Sequence, residues 1–420
     1  MSYSKPLGYD PTKVLLKYME PNKRFQLAAR CPQIRAAEKL IPLKIESLTF
    51  GEMSTTVNDT TYQLGVSKEF PPGESMSHFD ESLTGTKFDI DEFGHPDYTT
   101  DDILTPGDID LRGHRRGEHG DTGFPHDFWK IIMKSSERQQ KELNLSPEEL
   151  AKLEAEKAIA QSQLEPYNRR QNNVPLSVPT FIQLTIVGRV VEKVVYNKRL
   201  YQAAKCLHTV FFGGRPSKVQ VGKLALNSPG YVHRYPHDFK MEIKELSCVP
   251  INFSMLDSLI DPSNYPSVKL TLSGFRRYRN ADQPAINQAE TLIIDNSDDL
   301  WPYFDDLRDL RASHVVLPYD SHITDPVNLA RHWLENNKPI GTLYSFGFEK
   351  LEPAKKCLRD MRSTFPRARL IRDQGRSITY SLADGDTHVR VFYERVLPIP
   401  GQSEWKVSYW FLHLKVVEAY

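Results

Sequence analysis

The chain has 420 residues, 39% of them hydrophobic, and its 54 Lys and Arg side chains balance its 54 Asp and Glu side chains. This length suffices for about two or three domains, and the balanced charge excludes an overall field that would attract nucleic acid or anionic membranes. No run approaches the ~18 apolar residues of a membrane span, and the start lacks the apolar core of a secretory signal, so we expect an intracellular protein, cytoplasmic or nuclear.

Three short helices are predicted between Leu7 and Pro42. Apolar residues recur there at helical spacing, as in Val14, Leu15, Tyr18 and Met19. Pro21 and Pro32 interrupt the run because a proline ring cannot continue the helical hydrogen bonds, and we expect Asp10 and Asn22 to cap the first and second helices. Three such short helices bury little core, so the rest of the chain or a partner must cover their apolar faces.

Strand periodicity replaces helical periodicity after Pro42. The runs 43–50 and 62–66, separated by a turn-prone Asn58-Asp59, predict a hairpin or the first strands of a sheet. From about Phe70 to Phe124 neither periodicity holds, which predicts a long surface excursion or a partly disordered insert. Helical spacing returns at 128–132 and after Ser146, where Ser146 and Glu149 form a capping box on a charged helix.

The most regular feature follows two strands, near 181–187 and 190–196, and a helix at 200–210. Short apolar strand segments then recur with a period of 22 to 24 residues, marked by Leu224, Leu246, Leu270, Leu292 and Val315. A sixth segment, 341–346, comes slightly late, and helix-like pieces lie between the strands. Strand, turn and helix at this period predict a degenerate leucine-rich-repeat-like domain, in which each unit covers the next. An ordinary α/β domain is the alternative.

Two final strands, His388–Arg395 and Trp405–Val416, are predicted to form an antiparallel hairpin that caps the repeats. The fold class is therefore α+β or α/β. We divide the chain into a helical module at 1–42, a segment at 43–175 with the hairpin, the insert and the charged helices, and a repeat-containing domain with its hairpin cap at 176–420.

The N-terminal stretch resembles an F-box, the helical module that docks substrate adaptors onto the Skp1 subunit of cullin-RING ubiquitin ligases. Pro21 stands at the mid-motif proline, while Gly8, Thr12 and Arg30 depart from the pattern. The resemblance implies a partner-binding set that consists of Leu7, Leu15, Leu16, Met19, Phe25, Leu27 and Ile34. Within this set, Phe25, Leu27 and Ile34 either help at the interface or hold the helices together.

Five further segments are similar to a nematode-expanded F-box-like family of F-box C type with a large C-terminal domain of unknown function. They are VNDTTYQLGV at 57–66, LTPGDIDLR at 104–112, FIQLTI at 181–186, FFGGR at 211–215 and HWLENNKPIGTLYSFGFE at 332–349. This resemblance spans nearly the whole chain. It implies a substrate-recruiting adaptor only through the N-terminal helices.

No candidate for chemistry meets the requirements of its site. Ser345 lacks the first glycine of a nucleophile elbow, and Gly213-Gly214-Arg215 fits a helix C-terminal turn better than a phosphate loop. The calcium-like loop that begins at Asp89 has Phe93 at a ligand position. Three histidines, His114, His119 and His126, show no ligand spacing.

The remaining candidates are equally weak. The four cysteines, Cys31, Cys206, Cys248 and Cys357, lack paired spacing, so we expect buried reduced thiols and neither a zinc site nor a disulfide scaffold. One basic and aromatic cluster at 275–279 is weak evidence for nucleic acid on a neutral chain. We therefore predict no catalytic residue, no metal and no cofactor.

Three hypotheses about function remain open. The leading one is a non-enzymatic adaptor that binds a Skp1-like subunit through its N-terminal helices and an unknown target protein through its repeats. The second is a solenoid-like module for protein or RNA, whose N-terminal helices are only a structural cap. The third is an enzyme with an unrecognised site, and no motif supports it.

Overall fold

The structure is a computed structural model that describes residues 8–69, 85–100, 102–112, 126–142, 146–226, 231–249, 253–261, 263–264, 268–273, 284–295, 304–318, 325–365, 369–383, 385–396 and 410–419. Within these ranges the chain forms ten α-helices and nineteen β-strands, a mixed fold consistent with the predicted α+β class. None of the described helices combines the length and the apolar character needed to cross a membrane.

The helices, in chain order, are α1 (Tyr9–Tyr18), α2 (Pro21–Arg30), α3 (Pro32–Leu40), α4 (His126–Glu142), α5 (Pro147–Gln171), α6 (Leu200–Phe212), α7 (Pro284–Gln288), α8 (Phe304–Asp309), α9 (Pro326–Asn336) and α10 (Leu351–Thr364). The strands are β1 (Lys44–Gly51), β2 (Ser54–Val57), β3 (Thr60–Lys68), β4 (Asp89–Ile90), β5 (Pro96–Asp97), β6 (Ile109–Asp110), β7 (Thr180–Ile186), β8 (Arg189–Val195), β9 (Val219–Leu226), β10 (Val232–His233), β11 (Met241–Cys248), β12 (Lys269–Ser273), β13 (Thr291–Asp295), β14 (His314–Leu317), β15 (Leu343–Phe348), β16 (Leu370–Asp373), β17 (Ser377–Ser381), β18 (Thr387–Arg395) and β19 (Trp410–Glu418).

The chain divides into two compact units that do not follow chain order. Unit 1 contains the described residues of 1–42, 49–217 and 230–239, and unit 2 contains those of 43–48, 218–229 and 240–420. The N-terminal helices therefore belong to the same unit as α6.

Unit 1 contains the antiparallel strands β2, β3, β7 and β8, in that order. Its core packs α6 on this sheet, with Leu64 and Ile182 from the strands against Leu200 and Ala204 from the helix. The predicted capping box at the start of α5 is confirmed, since the side chains of Ser146 and Glu149 each accept the other's backbone N–H. The Ser146 hydrogen bonds lower the pKa of Glu149.

The described part of the predicted insert contains regular structure. Three two-residue strands, β4, β5 and β6, lie within 85–112, whereas 70–84, residue 101 and 113–124 lie outside the described residues. Asp89 connects this segment to the start of α6, because its buried carboxylate accepts hydrogen bonds from the Tyr196 hydroxyl at 2.6 Å and the Leu200 N–H at 2.8 Å. These partners lie more than 100 positions away, so periodicity could not predict them.

The β7–β8 hairpin turns through two residues with positive φ, Val187 at 48° and Gly188 at 75°. Glycine adopts this left-handed conformation freely, whereas a β-branched side chain is strained in it. We expect Val187→Asn to raise the free energy of unfolding of unit 1 by about 1 kcal/mol, because asparagine tolerates the conformation. Hydrogen exchange of the β7 amides measures the change. Val194→Asn, at a regularly paired position of β8, should give no gain, and an equal gain there would contradict the explanation by strain.

Unit 2 contains six parallel strands in the order β9, β11, β12, β13, β14 and β15. The residues that mark the sequence period pair directly across them in the series Leu224, Leu246, Leu270, Leu292, Val315 and Tyr344. In β12 and β13 alternate residues are buried and those between them are half-buried. The buried face packs on helices, as where the rings of Trp333 and Tyr344 meet at 5.0 Å.

The C-terminal strands extend unit 2 in antiparallel fashion. β15 pairs with β19, β19 with β18, β18 with β17, and β17 with β16. The predicted pairing of the last two strands is confirmed, but the described part of the second begins at Trp410, and Trp405 and the predicted turn lie outside the described residues. The sequence pattern did not predict β16 and β17.

Candidate partner-binding site

The N-terminal helices begin and end where the prolines predicted, but their caps differ from the prediction. Gly8, not Asp10, is the N-cap of α1. Glu20, not Asn22, caps α2, since its carboxylate accepts the Lys23 N–H at 3.1 Å. Asn22 is instead buried and binds across unit 1: it donates to the Val57 carbonyl at 3.0 Å and accepts the Tyr62 hydroxyl at 2.9 Å.

Helix α1 exposes an apolar face. Val14, Leu15 and Tyr18 are 60%, 50% and 80% exposed. At 3.6 residues per turn these three positions lie within about 100° of one another around the helix, whereas Leu16, on the other side, is fully buried. We call Val14, Leu15 and Tyr18 the α1 face.

The structure separates the predicted partner-binding residues into three groups. Leu7 lies outside the described residues. Leu15 belongs to the α1 face, and Met19, Leu27 and Ile34 are half-buried around Leu16. Leu16 is buried, so its prediction as a surface contact needs correction: it packs on Ala37 and Ile41. Phe25 is also buried, and its ring stacks on Phe211 at 4.4 Å, which fits the alternative that it holds the helices in place.

The exposed charges of the three helices are mostly basic. Four basic side chains are exposed, namely Lys17, Lys23, Arg30 and Arg35. Among the described residues of 9–40, one acidic side chain, that of Asp10, is exposed. The Lys17 ammonium lies 5.7 Å from the centre of the Tyr18 ring and the Lys13 ammonium lies 4.1 Å from that of Tyr9. A basic margin therefore borders the α1 face.

A buried ion cluster fixes the helices within unit 1. The Glu38 carboxylate accepts from Arg24 Nε at 3.1 Å and from Arg215 at 2.7 and 2.9 Å, and all three side chains are at most 2% exposed. Arg24 also donates to the carbonyls of Glu38, Ile41 and Pro42. Burial lowers the pKa of both arginines, which nevertheless stay charged because a free arginine titrates above 12.

Arg215 follows the turn that the sequence analysis assigned to Gly213-Gly214. That turn is confirmed, with Gly214 at a φ of 66° after the C-cap Gly213. The pairing of Arg215 with Glu38 was missed. No sequence signal connects two charges 177 positions apart.

Lys39 lies beside the same cluster. Its ammonium donates to the Phe211 carbonyl at 3.1 Å, and burial, reinforced by the Arg215 charge, lowers the pKa of Lys39 to about 8. We expect the rate of Lys39 acetylation, followed by mass spectrometry against pH, to have its midpoint near pH 8, because only the neutral amine reacts. A midpoint above pH 10, the range of an ordinary lysine, would contradict the burial argument.

A small pocket in unit 1 encloses about 50 Å³ between Phe50, Leu64, Ala204 and His208. His208 Nε2 lies 2.6 Å from the Thr55 hydroxyl, and its Nδ1 faces the Arg234 carbonyl. Because a carbonyl only accepts, Nδ1 carries the proton and Nε2 accepts from Thr55. Burial lowers the pKa of His208 to about 4. Both ring nitrogens of His208 therefore form hydrogen bonds within unit 1.

Of the four cysteines that were predicted to be buried, one is. Cys248 is buried and Cys31 and Cys357 are half-buried, but Cys206 is exposed. Burial raises the pKa of Cys248 to about 12 and of Cys357 to about 11, so both stay protonated at neutral pH. In the described part of the chain, no group of three or more His, Cys, Asp or Glu side chains is arranged to hold a metal ion. His114, His119 and 275–279 lie outside that part.

Ser345 has neighbours that the sequence did not predict. Its hydroxyl lies 2.9 Å from His413 Nδ1, and Glu394 lies 3.3 Å from His413 Nε2. A serine, histidine and carboxylate in contact resemble a hydrolytic triad. However, β15 pairs on both sides, with β14 and β19, so the ladder occupies the amides that could stabilise an oxyanion. We assign no chemistry to this group.

Comparison with known proteins identifies one region. A family model described as a domain of unknown function (DUF3557) matches residues 199–350. The match begins at the start of α6 and ends after β15, and it lies outside the N-terminal helices. No curated protein and no solved structure matches the chain.

Proposed function

We propose that this protein is a non-enzymatic, substrate-recruiting adaptor of a cullin-RING ubiquitin ligase. Its N-terminal helices would bind a Skp1-like subunit, and the strand–helix repeats of unit 2 would bind a target protein. The observation that supports this most directly is the α1 face, which exposes three large apolar side chains. An apolar face bordered by charge is typical of a protein–protein interface.

The exposure of each side chain refines the proposed contacts. Leu15, Val14 and Tyr18 would insert into the partner, with Met19, Leu27 and Ile34 at the margin. Leu16 and Phe25 would act indirectly, because they hold the helices in place from the buried side. The basic margin favours a partner whose own apolar site has an acidic border.

The leucine-rich-repeat-like interpretation of unit 2 belongs to the same proposal. Parallel sheets usually have both faces covered, but in β12 and β13 only alternate residues are buried. The other face, which carries Thr271 and Ile293, would receive the target. The adaptor would then act by proximity, since it raises the effective concentration of the target near the ligase.

Binding of a purified Skp1-like subunit to the full chain tests the proposal. Leu15→Asp should weaken binding at least tenfold, because an unpaired carboxylate would be buried at the interface at a cost of about 2 kcal/mol or more. Gln26→Asp is the matched control, since it adds the same charge at an exposed position of α2. Circular dichroism of both variants would verify that the helices persist.

A solenoid-like module with a purely structural N-terminal cap is the second candidate. The buried cluster of Arg24, Glu38 and Arg215 favours it, because the helices are anchored in unit 1 and need no partner to be held. If the wild-type chain fails to bind the Skp1-like subunit, or Leu15→Asp binds as well as Gln26→Asp, the adaptor proposal is wrong and the cap remains. Protein or RNA would then be the ligand class, and strong salt dependence of binding would identify RNA.

A further inference from the structure

Strand β8 is an exposed edge. Among the described residues it pairs only with β7, and all seven of its residues are exposed. Four of them are valines, and Val191 and Val195 are 55% and 64% exposed. Natural proteins usually protect such an edge with charges, prolines or a covering element.

The backbone of β8 has hydrogen-bonding groups that face away from β7. The Tyr196 N–H donates to the Thr180 carbonyl at 3.0 Å, so the backbone N–H of Tyr196 points towards β7. Successive backbone N–H groups of a strand point to opposite edges. The N–H of Val194 therefore also points towards β7, whereas the N–H groups of Lys193 and Val195 point away from it. The backbone carbonyls of an added strand could accept hydrogen bonds from both of these N–H groups.

The turn before β8 is a two-residue hairpin turn, which needs positive φ at both of its residues. Val187 holds a strained left-handed conformation while its side chain is 67% exposed. The strain is therefore not compensated by core packing of that side chain. The strain at Val187 is a cost of the hairpin turn that joins β7 to β8.

We propose that β8 binds an extended segment of another protein, which adds to the sheet as a further strand. The backbone of the segment would pair with Lys193 and Val195, and its apolar side chains would cover the valines on either side. This site uses none of the residues of the α1 face, and it stands whether or not a Skp1-like subunit binds there.

The charges of β8 argue against a second copy of this chain as the occupant. Two-fold symmetric antiparallel strands must place one residue opposite itself. The register with the greatest overlap centres on Glu192, and the next two centre on Val191 and on Lys193. They place Glu192 opposite itself, Arg189 opposite Lys193, and Lys193 opposite itself, so each puts like charges face to face, which is unfavourable. A different sequence avoids this, and one with an acidic residue opposite Lys193 would complement the edge.

A synthetic nine-residue peptide of alternating valine and threonine, with glutamate near its centre, provides the probe. Added to the full chain, it should slow hydrogen exchange of the Lys193 and Val195 amides at least tenfold, with a smaller effect on Val194. The same peptide with every backbone nitrogen N-methylated keeps its side chains but loses the donors along both edges. It should give no protection.

Protein variants complete the test. The double variant Val191→Lys and Val195→Lys should weaken peptide binding at least tenfold, whereas Val174→Lys, at a valine that is 53% exposed elsewhere in unit 1, should leave it unchanged. Absence of protection at millimolar peptide, or equal binding of the N-methylated peptide, would overturn the proposal. Protection that rises with protein concentration without peptide would also overturn it, in favour of a second copy.

Discussion

Glu38→Ala should lower the free energy of unfolding of unit 1 by about 3–5 kcal/mol, the usual loss when one partner of a buried ion cluster is removed. The wild-type carboxylate accepts from Arg24 and Arg215, and these side chains are almost completely buried. Without Glu38, two guanidinium groups stay buried with no counter-charge. Their repulsion adds to the desolvation cost.

Hydrogen exchange of the α2 and α3 amides in the full chain measures this loss locally. Glu156→Ala removes the same side chain from an exposed position of α5 and should change stability by less than about 0.5 kcal/mol. Glu38→Gln separates charge from shape, because it keeps the volume and loses the charge. If Glu38→Gln were as stable as wild type, charge pairing would not hold the helices in unit 1.

Acid should destabilise unit 1 through His208. The folded pKa of about 4 lies below the ordinary value of about 6.5, so the unfolded chain binds more protons between these two pH values. The stability that the neutral ring contributes is complete above pH 6.5 and is lost as the pH falls towards 4. The loss amounts to about 3 kcal/mol.

The pH dependence of unfolding can be compared between wild type and His208→Asn. The variant cannot titrate at this position, so its slope between pH 4 and 6.5 should be smaller by up to one proton. Nuclear magnetic resonance of the wild-type ring gives an independent measurement that does not depend on the variant's stability. A ring that becomes protonated near pH 6.5 would contradict the assigned burial.

The repeat strands show how far local sequence reaches. The period of 22 to 24 residues that marks Leu224, Leu246, Leu270, Leu292 and Val315 reappears as direct pairing in the parallel sheet. The sequence period matches the strand pairing because each strand buries its period residue on the same face of the sheet. β16 and β17 carry no such period, so the sequence pattern did not predict them.

The N-terminal helices show which features local sequence cannot predict. Their bounds follow from Pro21 and Pro32, each of which stands at the first position of a helix, where its missing N–H costs no hydrogen bond. Leu15 and Leu16 are chemically identical neighbours, yet one is half exposed and the other fully buried. Only the packing against α3 distinguishes them.

By itself, then, the sequence determined the helices between prolines, the capping box at Ser146 and the repeating strands, because hydrophobic periodicity and backbone restrictions act over a few residues. Only the tertiary structure decided which face of α1 stays open, that Arg215 pairs with Glu38, and that β8 is the last of the described strands in its sheet. These features depend on contacts between positions distant along the chain, and the free energy of such contacts comes from burial and charge pairing that no local pattern encodes.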